Sequence, residues 1–265
     1  MRKVLVGLIF FMSFTFFDAF AGAVVHAADH RIEDIHMEVF IDDDGTAHIK
    51  ETRRATFSDG TENYIVFSNL GNSSIKNFTV TEDGQLYESV DHWDLDASRE
   101  EKAFKSGMIE TADGIELSWG IGEYGPHEYV IEYEVTNFIK QLNDAQMLYW
   151  QFVNSDMDPA PENVTIDIEA SKAFTNTNTQ LWTFGHHGTF ELLNGKIHTA
   201  TNRPMTADNY VVILSRFANG MFQTDDVIDQ NFREIQEEAF VGSDYEIDDE
   251  LDEEIADKKD AIVVS

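Results

Sequence analysis

The sequence predicts an all-β protein, an antiparallel β-sandwich built as one large unit or two packed sub-sandwiches, with a short C-terminal helix and an acidic tail. Three observations predict it: short runs in which apolar and polar residues alternate, turn residues that punctuate them, and few helical patterns between them. Alternation at a period of two marks a strand with one face against a core.

The chain opens with Met1, Arg2 and Lys3, runs apolar from Val4 to Phe17, and reaches small residues at Val25, His26 and Ala27. A basic start, an apolar stretch and an A-x-A-like end predict a secretion signal over residues 1–27, cleaved after Ala27. The alternative is an uncleaved anchor, because apolar character resumes after Asp18 and the total approaches the about 20 residues a bilayer span needs. Residues 28–223 then form the exported β-sandwich domain, 224–242 a short amphipathic helix, and 243–265 an acidic linker or tail.

Within the domain, Ile35, Met37, Val39 and Ile41 alternate with His36, Glu38, Phe40 and Asp42, and a second run follows in Ala47, Ile49 and Glu51. Asp42, Asp43, Asp44 and Gly45 lie between them, so the fold opens with a hairpin whose glycine accepts the positive φ of the turn. Further strands are expected at Tyr64 to Phe67, Asn77 to Thr81, Ile115 to Trp119, Tyr129 to Val135 and Met147 to Val153. The series continues with Val164 to Ala170, Gln180 to Phe184, Thr189 to Leu193 and Tyr210 to Phe217. Ser98 to Phe104 reads as a short helix or a loop, and Phe138 to Leu142 as a loop or helical turn. From Thr224 the pattern changes: Asp225 and Asp226 stand as caps for a helix in which Ile228, Phe232, Ile235 and Ala239 recur, ending at Gly242. Asp244 to Asp260 is dominated by acids and reads as a solvated linker.

The composition narrows the function. Of 265 residues none is cysteine, which removes disulfides, a thiol nucleophile and thiolate metal sites. The formal net charge of -32 repels phosphate, so nucleic acid is excluded as a partner and anionic headgroups are disfavoured. An acidic surface shaped by high salt or high pH, with no specific ligand, explains the same charge.

Motifs for chemistry are sparse. Asp42, Asp44, Gly45 and Glu51 fall at positions 3, 5, 6 and 12 of a calcium-loop pattern, but Phe40 stands at position 1, where an oxygen ligand is required. Asp42, Asp43 and Asp44 remain as weak surface calcium candidates, and no other metal or cofactor is implied. His186 and His187 adjoin in a turn, where neighbouring side chains point to opposite faces. His36 and His48 flank the first turn, and the hairpin has the reach to bring them together. Neither G-x-S-x-G nor H-E-x-x-H occurs, and Gly120 to Gly125 has no lysine for a phosphate loop. With 50 acidic residues, a carboxylate pair for glycoside hydrolysis would arise in any fold. Trp93, Trp119, Tyr149, Trp150 and Trp182 would line a sugar-binding face or pack in the core.

The segments Ile35 to Glu51, Tyr129 to Val135, Asp144 to Gln151, Phe184 and Gly185, and Glu237 to Tyr245 resemble the YciQ-like predicted bacterial membrane proteins. The resemblance spans about Ile32 to Tyr245 and implies a β-rich exported domain of unknown function followed by transmembrane helices; it supplies no catalytic residues. This sequence reaches Ser265 without such a span, so membrane anchoring is expected only if the natural chain continues further. The resulting expectation is a non-catalytic exported module at the cell envelope, on the outer face of the cytoplasmic membrane or outside the cell, with an envelope protein or cell-wall partner. A carbohydrate- or cell-wall-directed binder or glycoside hydrolase is the alternative.

Overall fold

The computed structural model describes residues 30–246; the expected signal segment and all but the start of the expected acidic tail lie outside the described residues. In chain order the elements are β1 (Arg31–Ile41), β2 (Ala47–Phe57), β3 (Glu62–Ser68), β4 (Ser74–Glu82), β5 (Gln85–Leu86), β6 (Glu88–Val90), α1 (Arg99–Lys102), β7 (Lys105–Glu110) and β8 (Gly114–Gly120). They continue with β9 (Gly125–Thr136), β10 (Lys140–Gln141), β11 (Gln146–Val153), β12 (Pro161–Ala170), β13 (Thr179–Phe184), β14 (Gly188–Leu193), β15 (Lys196–Thr201), β16 (Val211–Phe217) and α2 (Phe232–Phe240).

One layer is an eight-stranded sheet in the order β14-β15-β12-β1-β2-β9-β4-β5. β1 and β2 form the predicted hairpin, with Gly45 at φ 81°. Ile35, Met37, Val39, Ile41, Ile49, Tyr129, Ile131, Tyr133 and Val135 are buried on its inner face. His36, Glu38, Lys50 and Glu132 alternate with them on the outer face, where Lys50 bonds Glu38 at 2.9 Å. β12 returns beside β1 in parallel, with Ile35 opposite Val164, and β6 and β7 form a second parallel pair; the other pairings are antiparallel.

The facing layer is split into two four-stranded sheets, β3-β8-β7-β6 and β10-β11-β16-β13. Leu117 and Trp119 from the first, and Leu148, Phe152, Ile213 and Phe217 from the second, join one core with the large sheet. α2 covers the outer face of the second small sheet, where Phe232 and Ile235 pack with Leu142, Met147 and Leu214. The all-β sandwich is therefore one large sheet opposed by two smaller ones.

The helix expected over 224–242 begins only at Phe232, after the N-cap Asn231. Residues 224–230 are held out of the helix instead: Thr224 Oγ1 donates to the Ile139 carbonyl, Val227 bridges Gln141, the Asp226 carboxylate binds Lys140 and Asn72, and the chain bends at Asp229 and Gln230. These tertiary bonds outweigh a local capping preference. Phe138 to Leu142, expected as a loop or helical turn, contains the short strand β10 because Lys140 and Gln141 pair antiparallel with Met147 and Gln146 of β11. Ser98 to Phe104 does form a helical turn, α1, closed by a capping box between Ser98 and Glu101. β7 and β15 were not legible: β7 is interrupted by Gly107, and threonine fills inward positions of β15.

Candidate functional site: a cleft between the two small sheets

β2 keeps its alternation beyond Ile49, so Glu51 and Arg53 occupy inward positions on the large sheet, 0% and 3% exposed. Arg53 Nε donates to Glu51 Oε1 at 2.7 Å, and the guanidinium carbon lies 5.1 Å from the centre of the Trp119 ring. Burial, reinforced by the Glu51 charge, pushes the Tyr133 hydroxyl far above the usual tyrosine range. Among the buried side-chain atoms without a hydrogen-bond partner are Glu51 Oε2, Asn63 Nδ2 and, beside Arg53, Trp119 Nε1. Among the described residues the Arg53 side chain has one hydrogen-bond partner, Glu51, through Nε. Buried polar groups are normally satisfied, and an exception needs an explanation.

Glu51, Arg53 and Asn63 line a cleft of about 740 Å³, within the range of ligand sites, which is about 300 to 1,000 Å³. Ile35 and Met37 complete its floor. β3 forms one wall along its whole length, and Tyr149 to Val153 of β11 forms the other; Phe57 to Gly60 and Asn154 to Pro159 supply rim loops. Phe67 and Trp150 approach across it with ring centres 5.9 Å apart.

Both walls present open strand edges. β3 ends its sheet, and β11 is covered by β10 only at Gln146 and Met147. The bonds from Asn69 N to Asp113 O and from Ile121 N to Thr61 O fix which residues of β3 bond β8. By the alternation of antiparallel ladders, the backbone groups of Tyr64, Val66 and Ser68 then point the other way. The Val66 carbonyl accepts from Asn154 Nδ2 at 2.7 Å, which spans the two edges. On β11, the bond from Leu142 N to Ala145 O sets Met147 toward β10 and hence the backbones of Tyr149 and Gln151 toward the cleft.

A clasp closes the end opposite the rim loops. Lys140 Nζ meets the Asp226 carboxylate, Ser73 Oγ at 3.0 Å and the Asn137 carbonyl at 2.8 Å, while Asn72 donates to Asp226 at 2.9 Å. Burial opposes the Asp226 charge, but the Asn72 amide and the Lys140 ammonium outweigh it and hold the carboxyl below the usual aspartate range.

The residues singled out in the sequence lie elsewhere, apart from Glu51, Trp150 and Tyr149. Asp42 bonds His48 at 2.7 Å, Asp44 accepts from Thr46 N at 2.8 Å, and the Asp43 carbonyl accepts from Gln223 N. Among the described residues, no group of three or more His, Asp or Glu is placed to hold a metal ion. His36 and His48 are not brought together: His48 lies opposite Phe40, while His36 and His198 share Asp167 at 3.1 and 2.7 Å. Burial raises the Asp167 carboxyl, but the bonds from His198 and His36 outweigh it and leave it below its usual range. His186 is half-buried and His187 exposed. Trp93 and Trp119 are buried and Trp182 packs on Phe232 of α2, so the tryptophans present no common face. The signal that would have found the cleft is the parity of Glu51 and Arg53, two charges on the apolar face of a strand.

A family profile described as the N-terminal domain of a predicted membrane protein (DUF2207) matches residues 31–217, from the first residue of β1 to the last of β16. The fold and the match together define the class, an all-β domain of the kind described as the N-terminal domain of a predicted membrane protein. The chain belongs to the DUF2207 family. No curated protein matches it. Among solved structures it is similar to a Parabacteroides distasonis protein named as a protease, with 11% identity and a TM-score of 0.39 over 72% of this chain and 40% of that one. A Legionella pneumophila protein named as nutrient-binding gives 10% identity and 0.40 over 71% and 67%. Native yeast LTA4 hydrolase gives 8% and 0.41 over 71% and 29%. The chain thus spans less than half of the protease and of the hydrolase. Among the described residues no helix is long and apolar enough to cross a membrane.

Proposed function

We propose that this is a non-catalytic recognition domain of a YciQ-like envelope protein, displayed on the outer side of the cytoplasmic membrane, and that recognition takes place in the cleft between the two small sheets. The observation that carries the reading is the cleft itself, with the buried Glu51 and Arg53 on its floor and polar atoms there without a protein partner. Binding sites are concavities in which a few placed polar groups fix orientation; this cleft combines an apolar floor at Ile35 and Met37 with such groups, and its lining is about as polar as it is apolar. The signal-like start supports display outside the cell.

The hydrolytic reading stands behind it. Glycoside hydrolysis asks for one protonated and one ionised carboxyl beside the bond, whereas Glu51 and Glu62 are each bonded to a cation, Arg53 and Lys102. Nucleic acid remains disfavoured by charge, and the three turn aspartates offer at most weak calcium binding.

A photo-crosslinking residue placed at Tyr64, Tyr149 or the distant exposed Phe190 of the membrane-expressed protein tests the site. Adducts from Tyr64 and Tyr149 but not Phe190 are expected; equal labelling from all three refutes the cleft as the recognition surface. Protease added to intact cells tests orientation: survival of the domain until the cells are lysed rules out outer-face display.

A further inference from the structure

We propose that the occupant of the cleft is an extended, basic segment of another protein, added as a β-strand between β3 and β11 so that the two small sheets become one layer. The proposal rests on the cleft being the recognition site and names what it recognises.

Two edges of separate sheets border one cavity, and each turns backbone groups into it that bond no neighbouring strand: those of Tyr64 and Ser68 and the Val66 N–H on β3, and those of Tyr149 and Gln151 on β11. Unpaired edges are templates for strand addition, and proteins normally blunt or cover them. Here both are left open, and a single side-chain amide, from Asn154 to the Val66 carbonyl, bridges them. A strand laid between them would alternate its side chains. Those pointing down would meet Ile35, Met37 and Phe57, with Glu51, Arg53 and Asn63 available to one polar group such as a side-chain amide. Those pointing out would pass Tyr64 and Tyr149, which are 57% and 45% exposed.

Charge complementarity selects the partner. The rim carries exposed Asp59, Asp156 and Asp158, and the last two make no ion pair with the described residues. Added to a chain of net charge -32, this favours outward-pointing lysine or arginine and disfavours acids. Aromatic rings at the rim add cation–π attraction.

The probe is the fluorescein-labelled peptide Lys-Val-Lys-Gln-Lys-Val-Lys, measured by anisotropy against the full chain. Two variants accompany it, one methylated on alternate backbone nitrogens and one with every lysine replaced by glutamate. We expect the lysine peptide to bind and each variant to bind at least tenfold more weakly. Val66→Pro deletes one cleft-facing N–H and spares the bonds to β8; it is expected to keep the melting temperature and lose at least tenfold in affinity. Hydrogen exchange supplies the geometric readout. Peptide should slow the amides of Tyr64, Val66, Tyr149 and Gln151, while those of Ile65 and Phe67 are slow with or without it.

Equal binding of plain and methylated peptides, with Val66→Pro unaffected, overturns strand addition and leaves recognition in the cleft standing. Failure of the lysine peptide to bind at millimolar concentration overturns the basic-strand proposal, and the crosslinking comparison then judges the cleft independently. A concentration-dependent dimer abolished by Val66→Pro would make the occupant a second copy and also overturn it.

Discussion

The two layers of the sandwich are built to different standards. In the large sheet the central strands β1, β2 and β9 are long, flanked on both sides and mostly apolar on their inner faces, with Glu51, Arg53 and His127 as the charged or ionisable exceptions. The facing layer is cut in two, exposes the edges of β3 and β11, and is joined across the cut by side chains alone. The contrast teaches that the large sheet is a frame: its unbroken pairing holds two small sheets at a fixed separation, and of the polar groups on its inner face the Glu51–Arg53 pair lies beneath the gap, whereas His127 and Glu82 pair with each other toward its β4 edge.

The sharpest way to break the comparison is at the Glu51–Arg53 pair. Removing one member of a buried pair leaves an uncompensated charge, at a cost of about 3–5 kcal/mol, whereas replacing both with apolar residues is often neutral. Glu51→Leu and Arg53→Met alone are therefore expected to destabilise strongly in urea unfolding, and the double variant to recover most of the loss. An additive double variant would show that the two charges act independently.

Next in size is a comparison of frame and wall. Ile131→Ala, at the fully buried centre of the large sheet, should cost about 2–5 kcal/mol as a cavity forms. Ile65→Ala, which opens onto the cleft, should cost clearly less, because the truncation extends a space that already exists. Equal losses would mean that the walls are packed as rigidly as the frame.

The clasp gives a smaller and pH-dependent effect. Glu82, Asp167 and Asp226 all have carboxyls below their ordinary values; in Glu82 burial is outweighed by the bonds from His127 and Tyr87. The folded state thus binds fewer protons than the unfolded chain. Their contribution is complete above the unfolded values and is lost as pH falls through the folded ones, beginning below about pH 5. Asp226→Asn should lower stability by about 1–3 kcal/mol at neutral pH through its broken bond to Lys140. Its deficit relative to wild type should shrink toward pH 2, and a deficit constant across that range would exclude the clasp charge as the cause. Smallest of all, Tyr64→Ser and Tyr149→Ser at the exposed rim should each change stability by no more than about 0.5 kcal/mol. A larger loss would make them structural.

The sequence by itself determined the strand character of the frame and the Asp44–Gly45 turn, because period-two alternation and turn φ are properties of neighbouring residues; for Ser98 to Phe104 it left a short helix and a loop open, and the structure has the helical turn. It also placed Glu51 within an alternating run, although the calcium-loop spacing drew attention to its carboxylate instead of to the face it shares with Ile49. Tertiary structure alone decided that β12 lies parallel to β1, that residues 224–230 become a strap instead of the first turns of a helix, and that β3 and β11 border one cleft. Each of these joins segments far apart in the chain, and their free energy comes from long-range pairing and burial that no local pattern encodes.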